Sequence, residues 1–315
     1  EKEWAEYPVF HIDFNGENFT RPNVLERVIE KFLADNESIY GKNPNSTTTG
    51  GRFKDILKAA HQKTGRQAVV LIDEYDKPLL DVLDTGISID MDGEKRLLED
   101  HHRNILKGFY SVFKAADADL QFVLLTGVTK FSQVSVFSGF NQPDDISLSR
   151  NYEALCGITE EELLYYFKEP IIEMAEVYHC TEEVMKERLK SQYDGYHFGY
   201  RMTDIYNPFS ILNAFSKMQI GDYWFHSGTP TYLIHLMTHT NENLNDLTGK
   251  YYDPSQFIDY KADVEKPLPM IYQSGYLTIK GCDMDMGTFL LDFPNNEVKK
   301  GFVTLVANNY LQSEK

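Results

Sequence analysis

Residues Ala68-Val69-Val70-Leu71-Ile72-Asp73-Glu74-Tyr75-Asp76-Lys77-Pro78 constrain the fold of this chain more than any other stretch. Val69 to Ile72 is apolar without alternation, the pattern of a short strand buried on both faces of a parallel sheet. It runs directly into two adjacent carboxylates, Asp73 and Glu74. Side chains just past the end of such a strand project into the crevice where α/β proteins bind ligands. The run therefore predicts an architecture, and its last residues predict where the chemistry lies.

The neighbouring segments agree. Val9 to Phe14 reads as a strand, and Pro22 opens an amphipathic helix with Val24, Leu25, Val28, Ile29, Phe32 and Leu33 on one stripe. A loop rich in Asn, Ser, Thr and Gly covers Lys42 to Gly51. The helix that follows buries Phe53, Ile56, Leu57 and Ala60 and stops at Gly65. After a mixed segment containing Gly86 and Gly93, a longer helix carries Leu97, Leu98, Ile105, Leu106, Phe109 and Phe113. A third strand, Leu120 to Leu125, closes with Thr126-Gly127. This alternation implies a parallel, helix-covered sheet with right-handed crossovers.

Near residue 150 the pattern changes. Thr159-Glu160-Glu161-Glu162 is a capping box opening a helix on Leu163, Leu164, Phe167 and Ile171, which Pro170 should kink or break. Thr181, Asn207-Pro208 and Thr229-Pro230 mark three further helix starts. Tyr276–Lys280 and Thr288–Asp292 read as hairpin strands around Gly281 to Gly287. The expected organisation is an α/β unit over 1–150 and a mainly helical unit over 151–315 with a small β element.

Charge and cysteine content narrow the function classes. The chain carries 48 acidic against 31 basic residues, a net charge of −17, which opposes sequence-independent binding to nucleic acid. No run of Lys and Arg exceeds two residues, as at Lys299-Lys300. Ten glutamates and two lysines between Glu153 and Glu187 read as solvated helix faces. No 18-residue apolar run predicts a membrane span. Three cysteines without C-x-x-C spacing point to buried, inert thiols in a reducing, cytoplasmic compartment and against structural zinc.

Two acids at a strand end suit Mg²⁺: one holds the ion or its waters while the next orients an attacking water. Asp73 and Glu74 thus have the form of a Walker B segment, although G-x-x-x-x-G-K-[ST] occurs nowhere in the 315 residues. His235 and His239 have two-ligand helical spacing but lack an H-E-x-x-H pattern or an evident third ligand. No G-x-S-x-G is present. A metal-dependent nuclease using Asp73, Glu74 and Asp76 lacks the E-x-K element such sites need.

Six motifs carry a resemblance to a known family. They are Ile72-Asp73-Glu74-Tyr75-Asp76-Lys77-Pro78, Leu125-Thr126-Gly127-Val128-Thr129-Lys130-Phe131-Ser132 and Tyr152-Glu153-Ala154-Leu155-Cys156-Gly157-Ile158-Thr159-Glu160-Glu161-Glu162-Leu163, then Tyr193-Asp194-Gly195-Tyr196-His197-Phe198, Tyr206-Asn207-Pro208-Phe209-Ser210 and Leu291-Asp292-Phe293-Pro294-Asn295-Asn296-Glu297-Val298. In this order the chain resembles the bacterial AAA-ATPase-like proteins over nearly its whole length. The resemblance implies a parallel-sheet P-loop NTPase-type core, here without its first strand, P-loop and first helix, followed by a mainly helical region. It implies ATP and Mg²⁺ as ligands, and a nuclease-like C-terminal domain or a protein partner beyond Val298. It also implies Asp73 as the Mg²⁺ residue and Glu74 as the water-orienting base. One of Thr126, Thr129 and Lys130 would face the γ-phosphate, against the reading of a hydrogen-bonded turn. Arg150 would serve as an arginine finger or lid sensor, against that of a surface cation. Asp76 and Lys77 read equally well as a local ion pair. The competing expectation is a non-catalytic scaffold or interaction module that retains a degenerate nucleotidase fold.

Overall fold

The computed structural model describes residues 5–91, 93–130, 144–226, 247–258 and 267–313. They fall in two compact units, residues 1–143 and 144–315.

In the first unit, β1 (Val9–Asp13) leads through α1 (Val24–Tyr40) and α2 (Thr49–Thr64) to β2 (Ala68–Asp73). A short α3 (Lys77–Leu80) and a hairpin of β3 (Ser88–Met91) and β4 (Glu94–Leu97) follow. Then α4 (Leu98–Tyr110) and α5 (Val112–Ala115) return the chain to β5 (Leu120–Leu125). The three long strands form a parallel sheet in the order β1-β2-β5. The expected strand–helix alternation is therefore present, and so is the parallel pairing.

Both crossovers run in the same direction across the sheet, so the right-handed rule puts their helices on one face. Burial follows suit. Phe10, Ile12, Val70 and Ile72 are buried under α1, α2 and α4, where Phe32, Phe53 and Phe109 form an aromatic core. The opposite face is open among the described residues. Val9 is 54% exposed, Phe122 52% and Leu124 37%, and the register aligns them with half-buried Val69 and Leu71. The expectation that β2 is buried on both faces thus holds for one face only.

Element boundaries differ from expectation at three places. The first helix begins at Val24 behind a left-handed Asn23, not at Pro22. The second starts inside the expected loop, because the Thr48 side chain accepts the Gly51 N–H and caps it. Leu97 is not on the helix face but in an exposed hairpin strand.

The second unit starts with β6 (Ile158–Thr159) and α6 (Glu160–Tyr166), opened by the Thr159–Glu162 capping box. The helix breaks at Phe167, and α7 (Lys168–Val177) takes Pro170 into its first turn. Next come α8 (Glu182–Tyr193), β7 (Ile205–Tyr206), α9 (Pro208–Lys217) and α10 (Tyr223–His226). Thr181 and Asn207 cap α8 and α9 as expected. Leu163, Ile171, Met174, Met185, Leu189, Tyr193, Tyr206 and Ile211 form the helical core. The chain continues through β8 (Lys250–Tyr252), α11 (Leu268–Gln273), β9 (Thr278–Asp283), β10 (Thr288–Asp292) and α12 (Asn296–Ser313). The expected hairpin is β9–β10, joined by β8 in an antiparallel sheet ordered β8-β10-β9. The helix start at Thr229-Pro230, the pair His235 and His239, and Phe131-Ser132 lie outside the described residues.

The cysteines depart from the buried reading: Cys156 is exposed, and Cys180 and Cys282 are partly exposed. None of the described helices is long and apolar enough to cross a membrane.

Candidate functional site

The site is assembled where β1, β2 and β5 end on the same side of the sheet. Asp13 is in register with Asp73, and Ile72 with Leu125, so Asp13, Asp73 and Thr126 terminate three adjacent strands. Asp73 is exposed, and the Thr126 hydroxyl donates to its Oδ1. The Asp73 carbonyl accepts the Phe14 N–H at 3.2 Å, and the Ile72 carbonyl accepts that of Thr126 at 2.9 Å. These bonds extend both ladders by one residue and hold the Asp73 and Thr126 side chains side by side.

Glu74 then leaves the strand in the left-handed region, at φ 53°. This conformation is uncommon for a residue with a long side chain and marks a constrained turn. The turn is tied to the loop after β5. The Tyr75 N–H donates to the Thr126 carbonyl at 3.0 Å, and the Tyr75 hydroxyl donates to the Thr129 carbonyl. The Glu74 carboxylate forms no hydrogen bond or ion pair with any described residue and is half-buried. Desolvation, then the charges of Asp76 and Asp73, push its pKa up. A carboxylate in this state is a stronger base near neutrality than an exposed one.

Asp76 is fully buried. Its Oδ2 accepts the Thr129 N–H at 2.5 Å and the Thr129 hydroxyl at 2.7 Å. Burial raises its pKa, and the two Thr129 donors oppose that rise. The local Asp76–Lys77 pair is not formed: Lys77 Nζ bonds Asp81 Oδ1 at 2.9 Å, one helical turn on.

The structure thus brings Asp73, Glu74, Thr126 and Thr129 together, with different surroundings. Thr126 is exposed beside Asp73, whereas Thr129 is 3% exposed and both its donors serve Asp76. Lys130 is half-exposed. Arg150 belongs to the second unit, where it is exposed and its guanidinium lies 5.5 Å from the centre of the Tyr200 ring. Asp13 was missed by sequence reasoning, although its position as the last residue of a strand was the available signal.

No group of three or more His, Cys, Asp or Glu among the described residues is arranged to hold a metal. Mg²⁺ does not require one, because it keeps several waters and takes one or two carboxylates along with substrate phosphates. Exposed Asp73 with Asp13 on the adjacent strand end supplies oxygen donors of that kind.

His197, from the Tyr193–Phe198 motif, is far from this chemistry in role. Its Nδ1 meets the Ile279 carbonyl at 2.6 Å and its Nε2 meets Asp204 Oδ1 at 2.7 Å, fastening a loop of the second unit to β9.

Among known proteins, the chain is 33% identical over 313 residues to an uncharacterized protein encoded in the vnfD 5′ region of Azotobacter chroococcum mcd 1. The match covers 98% of this chain and 56% of that protein, so the chain spans little more than half the relative's length. No solved structure matches the chain. Residues 1–137, the segment that carries Asp73, Glu74 and the parallel sheet, match the model of the AAA-ATPase-like family, described as predicted AAA-ATPase.

Proposed function

We propose that the first unit is the hydrolytic half of a Mg·ATP site in a P-loop NTPase-type core. The observation that carries this reading is the strand-end arrangement: Asp73 bonded by the Thr126 hydroxyl, followed by Glu74 with its carboxylate unengaged among the described residues. In this reading Asp73 would hold Mg²⁺, whose charge would offset that of the phosphates. Glu74 orients the attacking water and takes its proton. Thr126 is the phosphate-facing residue at the end of β5, because the hydroxyl and N–H of Thr129 are committed to Asp76. Lys130 supplies positive charge nearby. Arg150 as finger or lid sensor stands as a proposal that turnover by Arg150→Ala tests.

The phosphate grip must come from elsewhere, since the 315 residues contain no P-loop sequence. The open sheet face supports a place for it. A parallel strand added at the edge of β5 that is unpaired among the described residues, and crossing back to β1, runs opposite to the two crossovers present. The same handedness rule lays its helix on the other face, over Val9, Val69, Leu71, Phe122 and Leu124. The loop between that strand and helix then falls at the edge where Asp73 ends β2. We propose that a strand–P-loop–helix segment outside these 315 residues fills this position.

Calorimetry with Mg·ATP on the 315-residue chain, and on a form that includes a P-loop segment, tests the reading. Binding and turnover are expected only in the second form, with turnover reduced 100-fold or more in Glu74→Gln, on the order of the general-base contribution. ATP turnover by the 315-residue chain itself, lost in Glu74→Gln, would show that no outside segment is needed. No binding by either form leaves the scaffold.

A further inference from the structure

We propose that Asp76 is a positioning residue: a buried latch that locks the turn after β2 to the loop after β5, and so fixes Glu74 relative to Thr126. The inference rests on the nucleotidase reading for its catalytic meaning, but the latch itself is a statement about this chain alone.

Three of the four residues from Asp73 to Asp76 bond the loop after β5. Asp73 takes the Thr126 hydroxyl, Tyr75 bonds the carbonyls of Thr126 and Thr129, and Asp76 takes both donors of Thr129. Among the described residues the Glu74 carboxylate is left without a hydrogen-bond or ion-pair partner, half-buried on a left-handed backbone. A left-handed non-glycine residue persists only where its surroundings over-determine it. The bonds on either side of Glu74 provide that constraint.

Asp76 is an expensive way to bind Thr129 if holding the chain together is its sole duty. It occupies the N-cap position of α3, where an Asp side chain ordinarily caps the helix, but makes no capping bond. Instead the carboxylate turns inward to complete burial; the backbone N–H groups of Asp76 and Val128 offset part of its desolvation, although Oδ1 makes no hydrogen bond of ordinary geometry among the described residues. Gly127 is pressed against it: a Cβ there would stand 2.4 Å from Asp76 Oδ1 and 2.8 Å from the Tyr75 ring. The loop after β5 therefore lacks room to slide past the turn, and Thr126 is kept in step with Glu74. Misplacing a reacting group by about 1 Å costs on the order of 100-fold in rate, which is the benefit a latch of this kind protects.

The test compares Asp76→Ala and Thr129→Val with Thr129→Ser and Lys77→Ala by amide hydrogen exchange on the 315-residue chain. The first two are expected to speed exchange about tenfold or more in both segments, 73–77 and 126–130, while β1 and α2 stay protected. Thr129→Ser, which keeps both donors, should exchange like the unsubstituted chain, and so should Lys77→Ala. Faster exchange confined to the substituted segment would overturn the latch, as would loosening of the whole first unit. In a form that turns over ATP, Asp76→Ala should lower kcat about 100-fold with KM held. A loss in KM alone would overturn the positioning role. Absence of turnover by the unsubstituted protein overturns the nucleotidase reading instead, and leaves the exchange result to decide the latch.

Discussion

At the scale of single residues, the buried charges set the sharpest expectations. Arg52 is 9% exposed and makes paired bonds to Glu37 at 2.7 and 2.8 Å and to Glu30 at 2.5 and 3.0 Å. Arg52→Ala strands Glu37 as a buried charge whose remaining ion-pair partner among the described residues is Lys42, at 3.8 Å. We expect a loss of about 2–3 kcal/mol in urea unfolding at pH 7, below the 3–5 kcal/mol of a fully isolated pair. The hydrogen bonds from Arg52 lower the pKa of Glu37, so the native pair stabilises above the unfolded carboxyl value and weakens as pH falls through the lower folded one. The difference between Arg52→Ala and the unsubstituted chain should therefore narrow below about pH 4. Asp194 has the opposite sign. Burial pushes its pKa up to about 6, so its protonated form suits the fold, and that contribution is lost as pH rises through 6. Asp194→Asn should be more stable than the unsubstituted chain by about 2 kcal/mol at pH 8 and no more stable below about pH 4. Equal stabilities at pH 8 would refute this.

Elements differ in how much of their sequence is committed to packing. Phe53 on α2 is fully buried and stacks on Phe109 at 5.3 Å, so Phe53→Ala should cost about 3–5 kcal/mol. Phe122 on β5 looks equally apolar in the sequence but is half exposed, and Phe122→Ser should cost less than about 1 kcal/mol in thermal or denaturant unfolding. A loss near that of Phe53→Ala would mean the second sheet face is covered. The loop after β5 makes a third contrast. Gly127→Ala adds a single methyl group, but it meets Asp76 and the Tyr75 ring inside contact distance, so a loss of about 1–3 kcal/mol is expected. The strands themselves were legible: β1, β2 and β5 stand where apolar runs end in polar residues. The β3–β4 hairpin was not, because Leu97 and its neighbours lack an alternating apolar face and pair on an exposed ribbon. The break at Phe167 was legible through Pro170, and the caps at Thr159, Thr181 and Asn207 were legible because their bonds are local.

For the whole molecule, an apolar face on a parallel sheet is the feature with the widest consequences. Parallel sheets ordinarily carry helices on both faces, and the face of Val9, Phe122 and Leu124, open among the described residues, is a surface for association. The 315-residue chain is expected to self-associate with concentration in sedimentation velocity, and Phe122→Lys, placed on that face, should shift it toward monomer at a stability cost below about 1 kcal/mol. Unchanged association in Phe122→Lys would move the contact to another surface.

By itself the sequence determined the local and periodic features: the strand that ends in Asp73 and Glu74, the helices with one apolar stripe, and the caps and stops. Each of these follows from interactions within a few residues along the chain. Which residues face one another across the sheet was decided only by the tertiary structure. Asp76 reads as a partner for Lys77 until the fold brings Thr129, 53 residues away, against its carboxylate. Thr126 and Thr129 are interchangeable on paper and become distinct because one ends at Asp73 in solvent and the other under Asp76 in the core. Burial and long-range hydrogen bonds depend on parallel register and crossover handedness, which join segments that share no local pattern.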